Sequence, residues 1–426
     1  MDLIKKEAME IGHMHNKSTP SDSSKSSPVA KESVMVGADD LLLEMKVKLT
    51  SHLCDLQIIR IVGMGGSGKT TLALNIYQDL LIKDYFDICA WATISQDYSI
   101  QEVHIHIPGK LDLKVGQNLG VDALGETLYK HLYGRRYLIV LDDMWSIEAW
   151  DGIRRFLPDN KNGSRIVVTT RLSNLGSDLS KSKSLEMSLL NEVDSWDLLL
   201  KTAFGEQGCP LELEEIGKRI GKSCKGLPLS IVVIGGLLAK SNHTIEFWES
   251  IEENLSSIVN SEDDELYLRI LHMSYKQLPV YLKPCFLYMG VFREDMVIRR
   301  SMLVNLWVAE GFLRPKSGKS LEEIANVCLK ELVDRNLVLV DKIGINGEIK
   351  CCKIHDLLRD LCMREAEKEM FYHVVRHDLV ESNSEHRVVF PRLFTFEILG
   401  SFSHARSIIS QDYGYGDGRL PCNVSG

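Results

Sequence analysis

The chain has 426 residues, 44% hydrophobic and 26% charged, and a formal net charge of −9 at pH 7, a length that predicts two to four compact units rather than one core. The acidic balance excludes a global basic footprint for nucleic acid or an anionic membrane surface. Ten scattered cysteines without C-x-x-C spacing, two of them adjacent at Cys351 and Cys352, imply neither a zinc site nor a disulfide framework.

Residues 1–33 read as a flexible N-terminal linker, Ser-, Lys- and Pro-rich from Asn16 to Ser33. The start, Met1 to Glu7, has no signal-peptide apolar region. With reduced thiols as the default, the cytosol is the favoured compartment. Folded sequence is expected from Val34-Met35-Val36-Gly37, followed by an amphipathic helix through Leu41, Leu42, Met45, Leu49 and Leu53.

The run Ile58 to Thr71 is an apolar strand breaking into a glycine loop. Gly63, Gly68, Lys69 and Thr70 match G-x-x-x-x-G-K-[ST], in which backbone N–H groups cradle a polyphosphate. Gly65, Gly66, Ser67 and Thr71 complete the expected nucleotide-binding loop. Lys69 would reach the β- and γ-phosphates, and the Thr70 hydroxyl would ligate Mg²⁺. A helix from Thr71 to Leu81, with Leu72, Ile76, Leu80 and Leu81 on its apolar stripe, would turn its positive end to the phosphates.

Three β-rich runs follow, Ile88 to Ile94, Tyr137 to Leu141 and Arg165 to Thr169, separated by helical segments as in a parallel α/β sheet. The second ends in Asp142-Asp143, at the strand end where ligands of open sheets bind. Asp142 would hold Mg²⁺ and Asp143 would polarise the attacking water. The third ends in Arg171, either a cation for a γ-phosphate or a surface residue closing the strand. Between Gln101 and Gly120 an expected helix is disturbed by Ile107-Pro108-Gly109.

From Ser188 the pattern is helical. Leu198, Leu199 and Ala203 form one stripe and Leu211, Ile216 and Ile220 another, before Gly226-Leu227-Pro228-Leu229 opens an apolar helix over Ser230 to Ala239. Pro228 either meets an adenine face or merely starts that helix. Near Glu262 a third unit begins, with helices Leu266 to Tyr275, Pro279 to Met289, Arg300 to Glu310 and Leu321 to Glu331. The β-like runs Leu337 to Asp341 and Ile349 to Ile354 then complete a winged helix. A last helix, Leu357 to Lys368, has Asp356 as its expected N-cap. His355 is a titratable group at that strand-to-helix joint.

In this order the segments resemble the nucleotide-binding core of plant intracellular immune receptors. These are the coiled-coil class of nucleotide-binding leucine-rich-repeat disease-resistance proteins, in the STAND ATPase group. The matching residues are Val36-Gly37, Gly63 to Thr71, Phe86 to Ser95, Leu138 to Trp145, Gly163 to Arg171, Gly226 to Leu229, Cys285 to Asp295, Leu306 to Phe312 and Ile354-His355-Asp356. Ile354 stands for the family's Met, and Ala38 for the Arg after Val-Gly.

The resemblance implies an α/β architecture: a parallel-sheet P-loop domain over 34–183, a helical domain over 184–258 and a winged-helix domain over 259–375. The strand ending at Arg171 would lie beside the phosphate-loop strand. It implies ADP or ATP with Mg²⁺ as cofactors, and Val36, Arg171, Pro228 and His355 joining the loop in binding nucleotide. Lys69 and Asp143 would carry a weak hydrolysis. His355 would touch the β-phosphate of ADP in the resting state, and exchange for ATP would permit oligomerisation.

Its implied partners are the receptor's own coiled-coil and leucine-rich-repeat domains or other immune receptors, with peripheral recruitment to the plasma membrane left open. The first thirty-odd residues are too few for that coiled coil, and 376–426 reads as a tail lacking a recognisable leucine-rich repeat. The alternative is a STAND or AAA-like transcription regulator binding DNA through its winged helix. That would want a basic recognition helix, whereas the third unit mixes Arg299 and Arg300 with many acids. A kinase or metabolic ATPase would need a substrate pocket and lid. A nucleotide-dead adaptor is at odds with intact Lys69, Thr70, Asp142 and Asp143.

Overall fold

A computed structural model describes residues 35–94, 121–172, 183–241, 243–258, 263–374, 387–390 and 407–410. The expected linker, the irregular stretch 101–120 and most of the tail lie outside these residues.

Helix α1 (Asp39–Leu49) precedes strand β1 (Gln57–Val62), α2 (Lys69–Gln78), α3 (Leu80–Tyr85), β2 (Ile88–Thr93), α4 (Val121–Leu132), β3 (Tyr137–Asp142), α5 (Ile147–Arg154), β4 (Arg165–Thr170) and β5 (Lys183–Glu186). The strands form a five-stranded parallel sheet in the order β2-β3-β4-β1-β5. Every residue of β3 and β4 is buried, as expected where helices cover both faces of a parallel sheet. Strand β4 does lie beside β1, Thr170 opposite Val62. Both strand ends therefore open on the edge where the phosphate loop departs.

One expected helix is in fact two. Asp79 leaves helical geometry at ψ 128°, and its carboxylate accepts from the N–H groups of Leu81 and Ile82, capping α3. Leu80 and Leu81, assigned to a buried stripe, are 75% and 62% exposed. A local carboxylate outcompeted the weak apolar period.

The second layer holds α6 (Glu192–Phe204), α7 (Leu211–Ser223), α8 (Pro228–Ala239) and α9 (Ile245–Ser257). Leu198, Leu199, Ala203, Ile216 and Ile220 enter its core as the spacing predicts, around Trp248. Leu211 does not: it is the first residue of α7 and exposed, and Leu213 takes the buried place.

Helix α10 (Asp263–Lys276) serves two cores at once. Leu266, Ile270 and Met273 face the helical layer, while Leu271 and Tyr275 face the third unit. That unit contains α11 (Lys283–Leu287), β6 (Ile298–Arg299), α12 (Arg300–Ala309), α13 (Leu321–Asp334), β7 (Leu339–Ile343), β8 (Ile349–Lys353) and α14 (Asp356–Lys368). Strands β6, β8 and β7 form the antiparallel wing, and Trp307 and Phe286 fill the core. The expected helix Pro279 to Met289 is shorter, because after Leu287 the chain tightens into a 3₁₀ turn, Tyr288–Val291.

Three further strands, β9 (His373–Val374), β10 (Arg387–Phe390) and β11 (Ser407–Ser410), pair in parallel in the order β11-β10-β9. Sequence periodicity assigned no element to β10 or β11. Val389 and Ile409 pack into the winged-helix core. Arg387 fastens this sheet to the unit: its Nε donates to Glu310 Oε2 at 2.7 Å, and its guanidinium lies over the rings of Phe312 and Phe371.

Candidate nucleotide site

The loop between β1 and α2 is built by close approaches that exclude side chains. Gly66 has φ +76°, and a Cβ there would stand 2.8 Å from the Cβ of Leu229. The Leu229 N–H donates to the Gly66 carbonyl at 3.2 Å. The first turn of α8, led by Pro228 at its N-terminus, thus rests on the phosphate loop. Pro228 serves as a helix start, which leaves its second role untouched.

Within the loop, Ser67 Oγ is buried without a protein partner. Lys69 Nζ donates to the Met64 carbonyl at 2.8 Å. Burial above all, helped by the nearby Arg171 charge, pulls the Lys69 ammonium down to about 8. Gly68, Lys69, Thr70 and Thr71 bring the N-terminus of α2 to the same place.

Across the sheet edge, Asp142 Oδ1 accepts from Thr70 Oγ1 at 3.0 Å and from Thr169 Oγ1 at 2.5 Å. Its carboxyl is nearly inaccessible, and burial raises its pKa against those two hydrogen bonds. Asp143 adopts φ 55°, unusual for a residue with a side chain. Its N–H donates to Thr169 Oγ1 at 2.8 Å. Its Oδ2 accepts from the Trp145 indole at 2.9 Å, and burial lifts its carboxyl to about 6. Arg171 stacks on Trp145 at 4.6 Å and places Nε 3.9 Å from Asp143 Oδ1.

The winged-helix unit supplies the opposite wall. Arg171 donates to Asp356 Oδ2. The N-cap of α14 is His355, not Asp356: His355 Nδ1 accepts from the Leu357 N–H at 3.2 Å. Asp356 is the first helical residue and is turned to Arg171 instead. An ion pair from another unit took the carboxylate that local capping chemistry would have used. Burial above all lowers the His355 pKa, with Arg171, Lys69 and Lys353 adding to it against the opposing pull of Asp356. The ring is therefore neutral near pH 7, and the acceptor role of Nδ1 assigns its proton to Nε2. Such a ring donates one hydrogen bond without bringing charge.

More acids stand behind this wall. Glu294 and Asp295 are each pushed up to about 7, chiefly by burial and next by Asp356. Carboxylate oxygens of Asp143, Asp295 and Asp356 lie within 4.8 Å of one another. Arg171 sits among them.

The structure thus gathers Gly65 to Thr71, Asp142, Asp143, Arg171 and His355 around one edge of the sheet. Val36 packs, half-buried, on the helical-layer core together with Met64 and Leu190. Sequence reasoning gave no role to Thr169, Trp145, Leu229 or the acids Glu294 and Asp295. Thr169 had one signal: it stands at the same level as Asp142 on the neighbouring strand. The others lie inside the segments that carry the resemblance, but what each one touches is reached only through tertiary contact. A nucleotide polyphosphate fits this donor set, and Thr70 with Asp142 could hold a divalent cation beside it. The orphaned Ser67 hydroxyl, the glycine-rich loop and the adjoining Thr70 hydroxyl and Asp142 carboxylate are what such a group requires.

Comparison with known proteins agrees with this geometry. Residues 39–209 match the NB-ARC domain model, and residues 291–362 match the disease resistance protein winged helix domain model. The chain belongs to the NB-ARC disease-resistance family. It is 40% identical over 364 residues to a putative late blight resistance protein homologue of Solanum demissum, covering 84% of this chain and 27% of that protein. Against the late blight resistance protein R1-A of the same species it is 38% identical over 354 residues, covering 82% and 27%. The NB-ARC chain therefore spans about a quarter of the length of these relatives. Among solved structures, a STAND protein with a tetratricopeptide repeat sensor from Pyrococcus horikoshii aligns with a TM-score of 0.50 at 17% identity, covering 81% of this chain and 45% of that one. That likeness concerns the fold. No helix among the described residues is long and apolar enough to cross a membrane.

Proposed function

We propose that this NB-ARC chain is an ADP/ATP switch of plant defence, closed with ADP and opened by exchange for ATP. The observation that carries the reading is the grip of Asp356, from the winged-helix unit, on Arg171 at the phosphate-loop edge. Arg171 can serve either that carboxylate or a third phosphate. ADP leaves the ion pair intact, whereas the γ-phosphate of ATP competes for the same guanidinium and loosens the winged helix. Opening would free surfaces for oligomerisation.

Within this reading, Lys69 and the loop N–H groups bind the β- and γ-phosphates, and Val36 and Pro228 flank the adenine. The neutral His355 donates from Nε2 to the β-phosphate of ADP. Thr70 and Asp142 would hold Mg²⁺, which supplies charge neutralisation between the phosphates. Asp143 orients the water for a slow hydrolysis that resets the switch. The DNA-binding alternative draws no support from the winged-helix unit, where Arg300 at the start of α12 is engaged by Glu348 at 3.2 Å.

The deciding measurement is the identity of the nucleotide released when the purified protein is denatured. ADP at close to one equivalent is expected. Protein that binds neither ADP nor ATP when offered them at millimolar concentration would reduce the site to a structural relic.

A further inference from the structure

We propose that Trp145 is a positioning residue of the nucleotide site, holding Arg171 with its ring face and Asp143 with its indole N–H. This rests on the switch reading above and adds to it a residue through which the two charged groups are set relative to each other.

The placement of the indole is fixed from below. Met144 N donates to the Thr169 carbonyl at 2.8 Å, Thr170 Oγ1 donates to the Met144 carbonyl at 2.7 Å, and Asp143 N donates to Thr169 Oγ1 at 2.8 Å. Three hydrogen bonds to β4 thus pin the backbone that carries Trp145. Its ring is half-buried and joins none of the four apolar clusters among the described residues. A large aromatic outside any core, with both its face and its N–H directed at charged groups, is placed for those groups.

The consequence for Asp143 is an asymmetric carboxylate. Oδ2 already accepts from the indole at 2.9 Å, so Oδ1, 3.9 Å from Arg171 Nε, keeps the greater capacity to accept from water. During hydrolysis the water oxygen bonds to the γ-phosphorus, its proton passes to Asp143, and the bond to the bridging oxygen breaks to release ADP. The indole orients the carboxylate and favours Oδ1 for this part. For Arg171 the ring serves as a platform, since a guanidinium stacks on an aromatic face while keeping its N–H groups free for in-plane acceptors. Asp356 is such an acceptor in the closed form.

Two variants separate these functions. Trp145→Phe keeps the platform and removes the N–H, and Trp145→Leu removes both. The measurements are kcat and KM for ATP hydrolysis and the dissociation rate of a fluorescent ADP analogue, with the thermal midpoint as a check on folding. For Trp145→Phe we expect kcat to fall about tenfold, with KM and ADP dissociation within about twofold of the parent. For Trp145→Leu, ADP should also leave about three- to tenfold faster, the fold-change equivalent of one lost cation–π contact. Equal effects of the two variants on both rates would reduce Trp145 to packing, and parental rates in both would leave it without a role. If Trp145→Leu fails to fold, the split between kcat and ADP dissociation in Trp145→Phe still decides. A parent chain that binds no nucleotide removes the switch reading itself, and this inference with it. A parent that turns over normally beside indifferent variants removes the inference alone.

Discussion

Arg171 is contested by Asp356, Asp143 and the Trp145 ring. Removing the winged-helix claimant should favour the open form: Asp356→Asn, nearly isosteric, is expected to speed ADP dissociation about tenfold, or ~1.4 kcal/mol. An unchanged rate by stopped-flow displacement would show that the ion pair does not hold the closed form. Lys69→Ala takes the cation from a partly dry phosphate site and should abolish nucleotide retention, a loss of about 2–3 kcal/mol or more for a charge-assisted contact. Nucleotide co-purifying at the parental level would contradict the assignment of the loop. Lys69, Thr70, Asp142 and Asp143 were legible in the sequence because their chemistry is local to a loop and a strand end. The partner of Asp356 was not, since Arg171 is 185 residues away and no spacing rule connects them.

Among the elements, those with strong local signals formed as the sequence predicts. Helix α13 begins at a capping box, in which Ser320 Oγ accepts from the Glu323 N–H and Glu323 Oε2 accepts from the Ser320 N–H. Ser320→Ala should therefore cost about 1 kcal/mol in denaturant unfolding, with nucleotide binding unaltered. A loss below about 0.3 kcal/mol would mean that tertiary packing alone sets the helix start. Weak local signals failed where a neighbour intervened. Leu80 and Leu81 left the expected stripe because Asp79 caps a new helix, and the run after Pro279 shortened because the chain tightens at Tyr288. Parallel strands β10 and β11 were invisible, since four residues each give no period and their partners lie on other strands.

At the scale of the whole molecule, the winged-helix unit packs acids against the phosphate-loop edge. Glu294 and Asp295 rise from ordinary carboxylate values to about 7. A carboxyl whose pKa is raised in the folded form binds more protons there than in the unfolded chain, so its contribution favours folding at low pH and is lost as pH climbs through about 4 to 7. Asp295→Asn removes one such group, and its unfolding midpoint should depend less on pH than the parent's between about pH 4 and 7. Equal slopes would show that Asp295 does not titrate on unfolding. The three-unit order was readable from the motifs in sequence. The sharing of α10 by two cores was not, because both of its faces carry apolar residues and only the packing says which neighbour each one meets.

The Arg387–Glu310 contact carries a mechanical consequence. Glu310 is 3% exposed, and its cationic partner lies over two adjoining phenyl rings. Peeling the C-terminal strands from the winged helix by a small amount would strand a carboxylate in a dry crevice, so the first ångström of travel is the most costly. A seam of this kind does not yield gradually. It stays shut under weak tugging and parts at a threshold, like a snap fastener, so that a graded pull on the strands reaches the rest of the chain as a yes-or-no event.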